Sequence, residues 1–222
     1  MNIKKLAAER AVESVKDGMV IGLGTGSTAY FAIEKLGQRV QEGLSIVAVA
    51  TSKRSEEQAL GLGITIVPFA QVGKIDITID GADEVDGQLQ LIKGGGGALL
   101  REKIVASRSE KMFVIIGEDK LVDTLGKFPL PVEIVPFAYE WTLDALKALQ
   151  LNPKLRMKEE DYYVTDNGNY IADCYDSSIT DPTSLHTRLN NIPGVVENGL
   201  FVDLAHTVIV GREDGTIDII TK

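Results

Sequence analysis

The stretch Met19-Val20-Ile21-Gly22-Leu23-Gly24-Thr25-Gly26-Ser27-Thr28 places a short apolar run directly before a glycine-rich turn. The run 19–23 is typical of a buried strand, and residues 27–42 have the spacing of an amphipathic helix. A strand that leads through glycines into a helix is a unit from which α/β folds are built. The stretch therefore predicts an α/β fold with a largely parallel sheet.

The same alternation continues through the first 130 residues. Further strands are predicted at 45–50, 75–79, 89–92 and 112–116, with helices at 52–62 and from Ala98 onward. In such sheets, loops at the carboxyl ends of the strands converge and form the ligand site. We predict a Rossmann-like domain with helices on both faces, formed by residues 1–130 and 205–222.

The pattern changes after Phe128-Pro129-Leu130-Pro131. A strand is predicted at 132–135, a helix at 139–149, and a hairpin around Asn167-Gly168 with arms at 155–165 and 170–175. A helix at 183–190 and a strand at 199–203 follow. This β-α-β-β-α-β order is the ferredoxin-like arrangement. It predicts a smaller α+β domain over residues 131–204, after which 207–210 and 216–220 return to the first domain as a strand pair.

Composition excludes several classes of protein. A net charge of −9 argues against nucleic acid or an anionic membrane as a partner, because both require a basic surface. Cys174 is the single cysteine and only two histidines are present, so a disulfide or a metal cluster of these residues is not expected. Without a signal-peptide pattern or an apolar run of membrane-spanning length, we expect a cytoplasmic protein.

The stretch Lys93-Gly94-Gly95-Gly96-Gly97-Ala98-Leu99-Leu100-Arg101-Glu102 sets a lysine and a glycine-only loop before a helix. Glycine N–H groups and a helix N-terminus both favour anionic ligands. The helical spacing puts Glu102 on an apolar face, where desolvation should raise its pKa and suit it to act as a base. The alternative is a mobile loop in which Glu102 caps or pairs with a neighbour.

Two other loops follow predicted strands. Gly24-Thr25-Gly26-Ser27-Thr28 departs from the dinucleotide fingerprint and from the P-loop, which leaves a phosphate-sized site or a plain turn capped by Ser27 or Thr28. Asp80-Gly81-Ala82-Asp83-Glu84-Val85-Asp86 does not fit an EF-hand, which leaves paired carboxylates for sugar hydroxyls or a solvated acidic turn. Thr51-Ser52-Lys53 fits a helix cap.

Together, the 24–28 loop, Asp80-Gly81-Ala82-Asp83-Glu84, the 93–97 loop with Glu102, and Lys120 resemble type A ribose-5-phosphate isomerase in order and spacing. The resemblance spans nearly the whole chain. It implies an isomerase of ribose 5-phosphate and ribulose 5-phosphate in the pentose phosphate pathway, without metal or organic cofactor. It also implies a homodimer or homotetramer.

The resemblance further implies a role for each matched residue. Glu102 would be the base that moves a proton between C2 and C1, and Asp80 and Asp83 would contact sugar hydroxyls. Lys93 with Gly94, Gly95 and Gly96 would stabilise the enediolate oxygen. The remaining substrate contacts would come from Thr25, Gly26, Ser27, Thr28, Gly81, Ala82 and Lys120, with Lys4 as a phosphate contact.

Two other functions compete with this prediction. A sugar-phosphate sensor should carry a helix-turn-helix and a basic face, and this acidic chain begins almost directly with an α/β unit. An acyl-CoA or nucleotide enzyme should offer an adenine pocket and a dedicated nucleophile, and the sequence identifies neither. Both alternatives predict activity or binding that does not depend on Glu102.

Overall fold

The computed structural model describes residues 2–175 and 178–222, in which strands alternate with helices. The strands in chain order are β1 (Val20–Leu23), β2 (Val47–Ala50), β3 (Thr65–Ile66), β4 (Ile75–Gly81), β5 (Glu84–Val85), β6 (Leu91–Ile92), β7 (Ser109–Gly117), β8 (Leu130–Ile134), β9 (Pro153–Leu155), β10 (Met157–Lys158), β11 (Asp161–Tyr162), β12 (Tyr170–Cys174), β13 (Val195–Asn198), β14 (Leu200–Phe201), β15 (Thr207–Gly211) and β16 (Ile217–Thr221). The helices are α1 (Ile3–Val12), α2 (Ser27–Gln41), α3 (Lys53–Gly61), α4 (Leu99–Ser107), α5 (Tyr139–Ala148) and α6 (Pro182–Asn190). Short 3₁₀ turns cover Phe69–Gln71 and Glu118–Lys120.

The described residues divide into two compact units. The first contains the chain up to Ala82, residues 101–121 and the chain from Leu204 onward, and the second contains the described residues of 83–100 and 122–203. Residues 83–100 and 122–130, which the sequence places in the α/β domain, thus group with the second unit. The physical reason for 83–100 is strand pairing, because β6 pairs with both β5 and β14 in a small antiparallel sheet.

The first unit is built on one sheet with the order β16-β15-β7-β4-β1-β2-β3. All neighbouring strands in it are parallel except β15 and β16, so the prediction of a largely parallel α/β sheet is confirmed. Leu23 pairs with Ile79, and Gly81 pairs with Ile115. The carboxyl ends of β1, β4 and β7 therefore lie at the same edge of the sheet.

Apolar side chains cover both faces of this sheet. On one face, Ile21, Ile79 and Ile115 pack in a cluster that includes residues of α1, α2 and α3. On the other face, Val105 of α4 packs with the buried side chains of Val49 and Ile75 and with partly buried valines. Gly22 permits this close packing, since a Cβ there would lie 2.8 Å from Val105 Cγ1. The sheet is thus held rigidly behind the loops at its carboxyl edge.

The second unit contains an antiparallel sheet with the order β13-β8-β12-β9. With α5 and α6 between the strands in sequence, this is the predicted ferredoxin-like order. Its core is made of apolar side chains from the strands and both helices, including Leu130, Val132, Ile134, Leu146, Ala172, Leu185 and Leu189. No helix within residues 2–175 and 178–222 combines the length and apolar character needed to cross a membrane.

Three strand predictions need correction. The strand predicted at 89–92 does not join the parallel sheet, because β6 pairs with β5 and β14. The strand predicted at 199–203 is reduced to β14 in that same small sheet, and β13 occupies the sheet edge instead. The predicted hairpin arm 155–165 is split, since β9 pairs with β12 while β10 and β11 pair only with each other.

Candidate functional site

The first glycine loop, Gly24–Thr28, connects β1 to α2 in the first unit. Asp80, which is 0% exposed at the end of β4, fixes the direction of this loop. Its Oδ1 accepts the N–H of Thr25 at 3.0 Å and the N–H of Gly81 at 2.8 Å. A Cβ on Gly24 would lie 2.6 Å from the Asp80 Cα, so only glycine allows the two strand ends to approach this closely.

A cluster of hydroxyls holds the same loop from its other side. The Thr25 hydroxyl lies 2.7 Å from the Thr51 hydroxyl and donates to Ser52 Oγ at 2.8 Å. Ser55 Oγ donates to the Gly24 carbonyl at 2.7 Å. Ser52 also caps α3 as predicted, by accepting the N–H of Ser55 at 3.2 Å. These buried hydroxyls therefore restrain the loop by neutral hydrogen bonds.

The N-terminus of α2 offers a second feature of the first glycine loop. Gly26 is the N-cap residue, with φ 119°, and no side chain at this position accepts a capping hydrogen bond from the helix. The predicted cap by Ser27 or Thr28 is wrong, since both lie inside the helix. The Lys4 ammonium donates to Ser27 Oγ at 3.0 Å, which adds positive charge beside the helix N-terminus. Both the helix dipole and this charge favour an anion here.

Gly81 and Ala82 continue the chain beyond Asp80 and are only partly exposed. A Cβ on Gly81 would lie 3.7 Å from Thr28 Cβ, so these two predicted contact residues are neighbours. The first unit thus brings together the first glycine loop, Asp80, Gly81 and Lys4.

Glu102 lies in the first turn of α4 and is only 3% exposed. The following turn of the helix contributes Val105 and Ala106, which are also buried, as the sequence pattern predicts. Burial disfavours a charged carboxylate, whereas the first turn of a helix favours one. A carboxylate in this position is poorly hydrated and lies beside the N–H groups of the first helical turn.

Lys120 is held at the carboxyl end of β7 by the 3₁₀ turn Glu118–Lys120. Its ammonium lies 3.5 Å from an Asp119 carboxylate oxygen, and its side chain is 31% exposed. Glu118 fixes the turn by accepting the Glu213 N–H at 2.7 Å and an Arg212 N–H at 3.0 Å. The hydrogen bond from the Glu213 backbone, reinforced by Arg212, holds the pKa of Glu118 below its ordinary value. The turn that carries Lys120 is therefore well ordered.

The second glycine loop, Gly94–Gly97, belongs to the second unit. Gly94 and Gly97 have φ of 107° and 78°, and the Gly97 N–H closes a turn onto the Gly94 carbonyl at 3.0 Å. Asp83 Oδ2 accepts the Gly95 N–H at 2.8 Å. The structure thus brings Asp83 onto the loop, and one of the predicted oxyanion donors is engaged by this carboxylate.

Lys93 enters this loop from β6 with its side chain only 2% exposed. Its backbone N–H donates to the Gly199 carbonyl at 2.9 Å. Its ammonium lies 5.3 Å from the centre of the buried Phe201 ring, a distance typical of a cation–π contact. The β6–β14 pairing therefore holds Lys93 in place.

A charged pair that the sequence analysis missed also grips the second glycine loop. Arg156 Nη1 donates to the carbonyls of Gly94 and Gly95, at 2.9 and 3.1 Å. Its Nε and Nη2 bind both carboxylate oxygens of Asp173, at 2.9 and 2.5 Å. The Tyr163 hydroxyl donates to the Gly96 carbonyl at 3.4 Å.

The only sequence signal for this pair is positional. Arg156 and Asp173 lie on the two predicted arms of one hairpin, and their side chains carry opposite charges. The hydroxyl cluster around Ser55 had a stronger signal, because Thr51 and Ser52 follow a predicted strand at the ligand edge. Within the described residues, no group of three or more His, Cys, Asp or Glu side chains is arranged to hold a metal ion.

Comparison with known proteins identifies relatives over the whole chain. A family model described as ribose 5-phosphate isomerase A (phosphoriboisomerase A) matches residues 47–215. A protein of Bacillus mycoides named ribose-5-phosphate isomerase A is 52% identical over 216 residues, covering 97% of this chain and 98% of the relative.

Solved structures agree with this match. The structure of ribose 5-phosphate isomerase A from Methanocaldococcus jannaschii is 42% identical with a TM-score of 0.94, and the match covers 99% of this chain and 98% of that one. A D-ribose-5-phosphate isomerase in complex with phospho-erythronic acid is 42% identical with a TM-score of 0.96, and the match covers 100% of both chains.

Proposed function

The chain belongs to the ribose 5-phosphate isomerase A family, and from that premise we propose that it interconverts D-ribose 5-phosphate and D-ribulose 5-phosphate through an enediolate. Glu102 is the general base in this proposal. The observation that carries the assignment of the base is the burial of the Glu102 carboxylate in the first turn of α4.

The reaction moves a carbonyl from C1 to C2 of the open-chain sugar. Glu102 takes the proton from C2 of the aldose, which leaves an enediolate, and returns the proton to C1 to give the ketose. A proton also moves from the C2 hydroxyl to the C1 oxygen. Negative charge develops on oxygen during the first step, so fixed donors near that oxygen lower the barrier.

Other residues have matching roles. Lys93 and the N–H groups of the second glycine loop stabilise the enediolate oxygen. Asp80 and Asp83 contact sugar hydroxyls and assist ring opening and proton movement. Their hydrogen bonds to backbone N–H groups of the two glycine loops support these roles, since the same carboxylates fix the loops.

The phosphate group binds at the first glycine loop in this proposal. The N-terminus of α2 and the Lys4 ammonium beside Ser27 support this assignment, because both attract an anion. Thr25, Gly26, Ser27 and Thr28 supply backbone and hydroxyl donors. Lys120 contacts substrate from the ordered turn at the end of β7.

The proposed chemistry uses no metal or organic cofactor. We place the reaction in the non-oxidative pentose phosphate pathway of the cytoplasm, carried out by a homodimer or homotetramer. The single buried cysteine, Cys174, suits a reducing compartment. Light scattering of the purified protein measures the oligomer directly.

One assay tests the function itself. The purified chain is incubated with ribose 5-phosphate and EDTA, and ketose formation is followed. Ketose formation in the presence of EDTA is expected. A failure to form ketose would contradict the proposal, and recovery only on addition of a divalent metal would contradict its metal-free chemistry.

Replacing Glu102 by glutamine tests the base. Glu102→Gln removes the basic oxygen without changing the shape of the side chain, so kcat should fall at least about 10²- to 10⁴-fold. Ribose 5-phosphate should still bind, as measured by calorimetry. Steady-state kinetics that show near-normal turnover would end the assignment of Glu102 as base.

Glu133→Gln is the matched control. Glu133 is also a fully buried glutamate, and its Oε1 accepts hydrogen bonds from Thr165, Asn167 and Asn169. Glutamine keeps an acceptor oxygen for these donors. We expect Glu133→Gln to change the free energy of unfolding and to leave kcat within about twofold of the wild type, because an uncharged acceptor can replace the carboxylate there.

A further inference from the structure

The Arg156 guanidinium is nearly saturated by partners that include two consecutive peptide groups of the second glycine loop. Two of its nitrogens bind the Asp173 carboxylate, and the third binds the Gly94 and Gly95 carbonyls. The side chains of Arg156 and Asp173 are 15% and 14% exposed, so solvent competes little for the two bonds between them. Asp173 therefore fixes the plane of the Arg156 guanidinium, which we call the fork, and the fork in turn fixes the conformation of the second glycine loop.

The direction of the loop N–H groups follows from this contact. In a planar trans peptide, the carbonyl and the N–H point in opposite directions. With the Gly94 oxygen on Arg156, the Gly95 N–H must point away from the guanidinium, and it reaches Asp83 at 2.8 Å. With the Gly95 oxygen also on Arg156, the Gly96 N–H points to the side away from Arg156 as well.

From this geometry we infer that Arg156 is a positioning residue, which acts through Gly94 and Gly95 to aim the Gly95 and Gly96 N–H groups. Asp173 orients Arg156 for this task. Without the fork, four successive glycines would have wide conformational freedom, and the donors would have to be ordered during each turnover. A guanidinium on the two carbonyl oxygens also polarises both peptides and strengthens their N–H groups as donors.

The consequence for catalysis rests on the proposed function, in which N–H groups of this loop stabilise the enediolate oxygen. Because Asp83 accepts the Gly95 N–H, the donor that Arg156 aims at that oxygen is the Gly96 N–H. Donors that act on charge developing in the transition state affect kcat more than KM. Loss of correct aim should therefore appear as a lower kcat with a nearly unchanged KM for ribose 5-phosphate.

The main experiment compares two lysine substitutions. Arg156→Lys keeps the charge but offers a point donor in place of a fork, so it cannot hold both carbonyls and Asp173 in one plane. We expect kcat to fall about 10- to 100-fold, with KM within about threefold. Hydrogen exchange of the peptide that contains residues 93–98 should become faster.

Arg39→Lys is the matched control. Arg39 Nη1 also donates to two backbone carbonyls, those of Val12 and Val15 at 2.6 and 2.9 Å, but these lie at the end of α1 and just after it. This substitution should lower the melting temperature and leave kcat unchanged. An equal fall in kcat for both variants would reduce Arg156 to a general structural role and overturn the inference.

Asp173→Asn provides a second variant if Arg156→Lys does not fold. It leaves Arg156 in place but weakens the fork's orientation, so kcat should fall several-fold and exchange of residues 93–98 should rise. Unchanged kcat and unchanged exchange in the folded variants would overturn the inference. Absence of ketose formation by the wild type would instead overturn the proposed function, and the hydrogen exchange would still decide whether Arg156 aims the loop.

Discussion

In the first glycine loop, Asp80 accepts a backbone N–H and the Ser55 hydroxyl holds a carbonyl, whereas in the second loop Asp83 accepts a backbone N–H and Arg156 holds two carbonyls. The pattern of restraint is the same, with an aspartate on the N–H side and a donor on the carbonyl side. The chemistry differs, because one donor is neutral and buried and the other is charged and paired with an acid.

This difference teaches how a glycine-rich loop is kept in one conformation. Glycine has the largest backbone entropy to lose, so each loop needs restraint on both sides of its peptides. The first loop is crowded by Asp80 and by buried hydroxyls, so packing and neutral hydrogen bonds are sufficient. The second loop is surrounded mainly by side chains, and there the Arg156 guanidinium, paired with Asp173, restrains the loop.

The largest expected effect comes from adding a methyl group to a glycine of each loop, because different kinds of atoms crowd the added Cβ in the two loops. Gly24→Ala places a Cβ 2.6 Å from the Asp80 Cα, so backbone must move, whereas the nearest atom to a Cβ on Gly95 is the movable Asp83 Oδ1 at 2.6 Å. We expect the free energy of unfolding to fall by about 3 kcal/mol for Gly24→Ala and about 1 kcal/mol for Gly95→Ala. Urea denaturation measures both.

Gly61→Ala is the control for this pair, since no atom lies within 4 Å of its Cβ position at the end of α3. It should be neutral or stabilising by up to about 1 kcal/mol. Equal losses in the free energy of unfolding for Gly24→Ala and Gly95→Ala would contradict this comparison, in which backbone atoms crowd the first loop and side-chain atoms crowd the second.

An intermediate effect compares the two aspartates. Asp80 is fully buried and accepts two backbone N–H groups, whereas Asp83 is partly exposed and accepts one. Removing the acceptor leaves two part-buried N–H groups unpaired for Asp80→Ala and one exposed N–H group for Asp83→Ala, so we expect losses of about 2 and about 1 kcal/mol in the free energy of unfolding. Chemical denaturation that ranked Asp83→Ala as the more damaging change would reverse the comparison.

The smallest effect tests the neutral donor. Ser55→Ala removes the hydroxyl that holds the Gly24 carbonyl, and we expect a loss of about 1 kcal/mol in the free energy of unfolding. Ser107→Ala is the control, because its hydroxyl also donates to a carbonyl, that of Ile104, but is exposed. Thermal unfolding should place the control near the wild type, and identical shifts for both serines would contradict a special role for Ser55.

Much of the first unit could be predicted from the sequence because its strands are continuous apolar runs between clear helices. Strands such as β1 and β4 are buried on both faces, which gives a strong local signal. The edge strand β13 was missed because it contains Glu197 and Asn198 and follows Pro193-Gly194. A register shift between Val195 and Glu197 shows that its pairing is also irregular.

The roles expected of the candidate residues from their family resemblance remain predictions, but the supporting contacts show where local patterns are insufficient. Glu102 could be placed on a buried face because helical spacing is local. Arg156 could not be paired with Gly94 or Asp173, because that contact depends on which arm of the split hairpin pairs with β12. Long-range register decides such contacts, and no short motif encodes it.

The position of β15 in the sheet has a consequence for synthesis of the chain. β15 pairs with β7, yet the long segment 122–203 separates them in sequence, so β7 remains an open edge until the C-terminal strands leave the ribosome. The β7–β15 pairing is thus a contact between residues far apart in sequence, and such contacts slow folding. We therefore expect nascent chains that end before Thr207 to present the unpaired edge of β7, which can pair with strands of other chains.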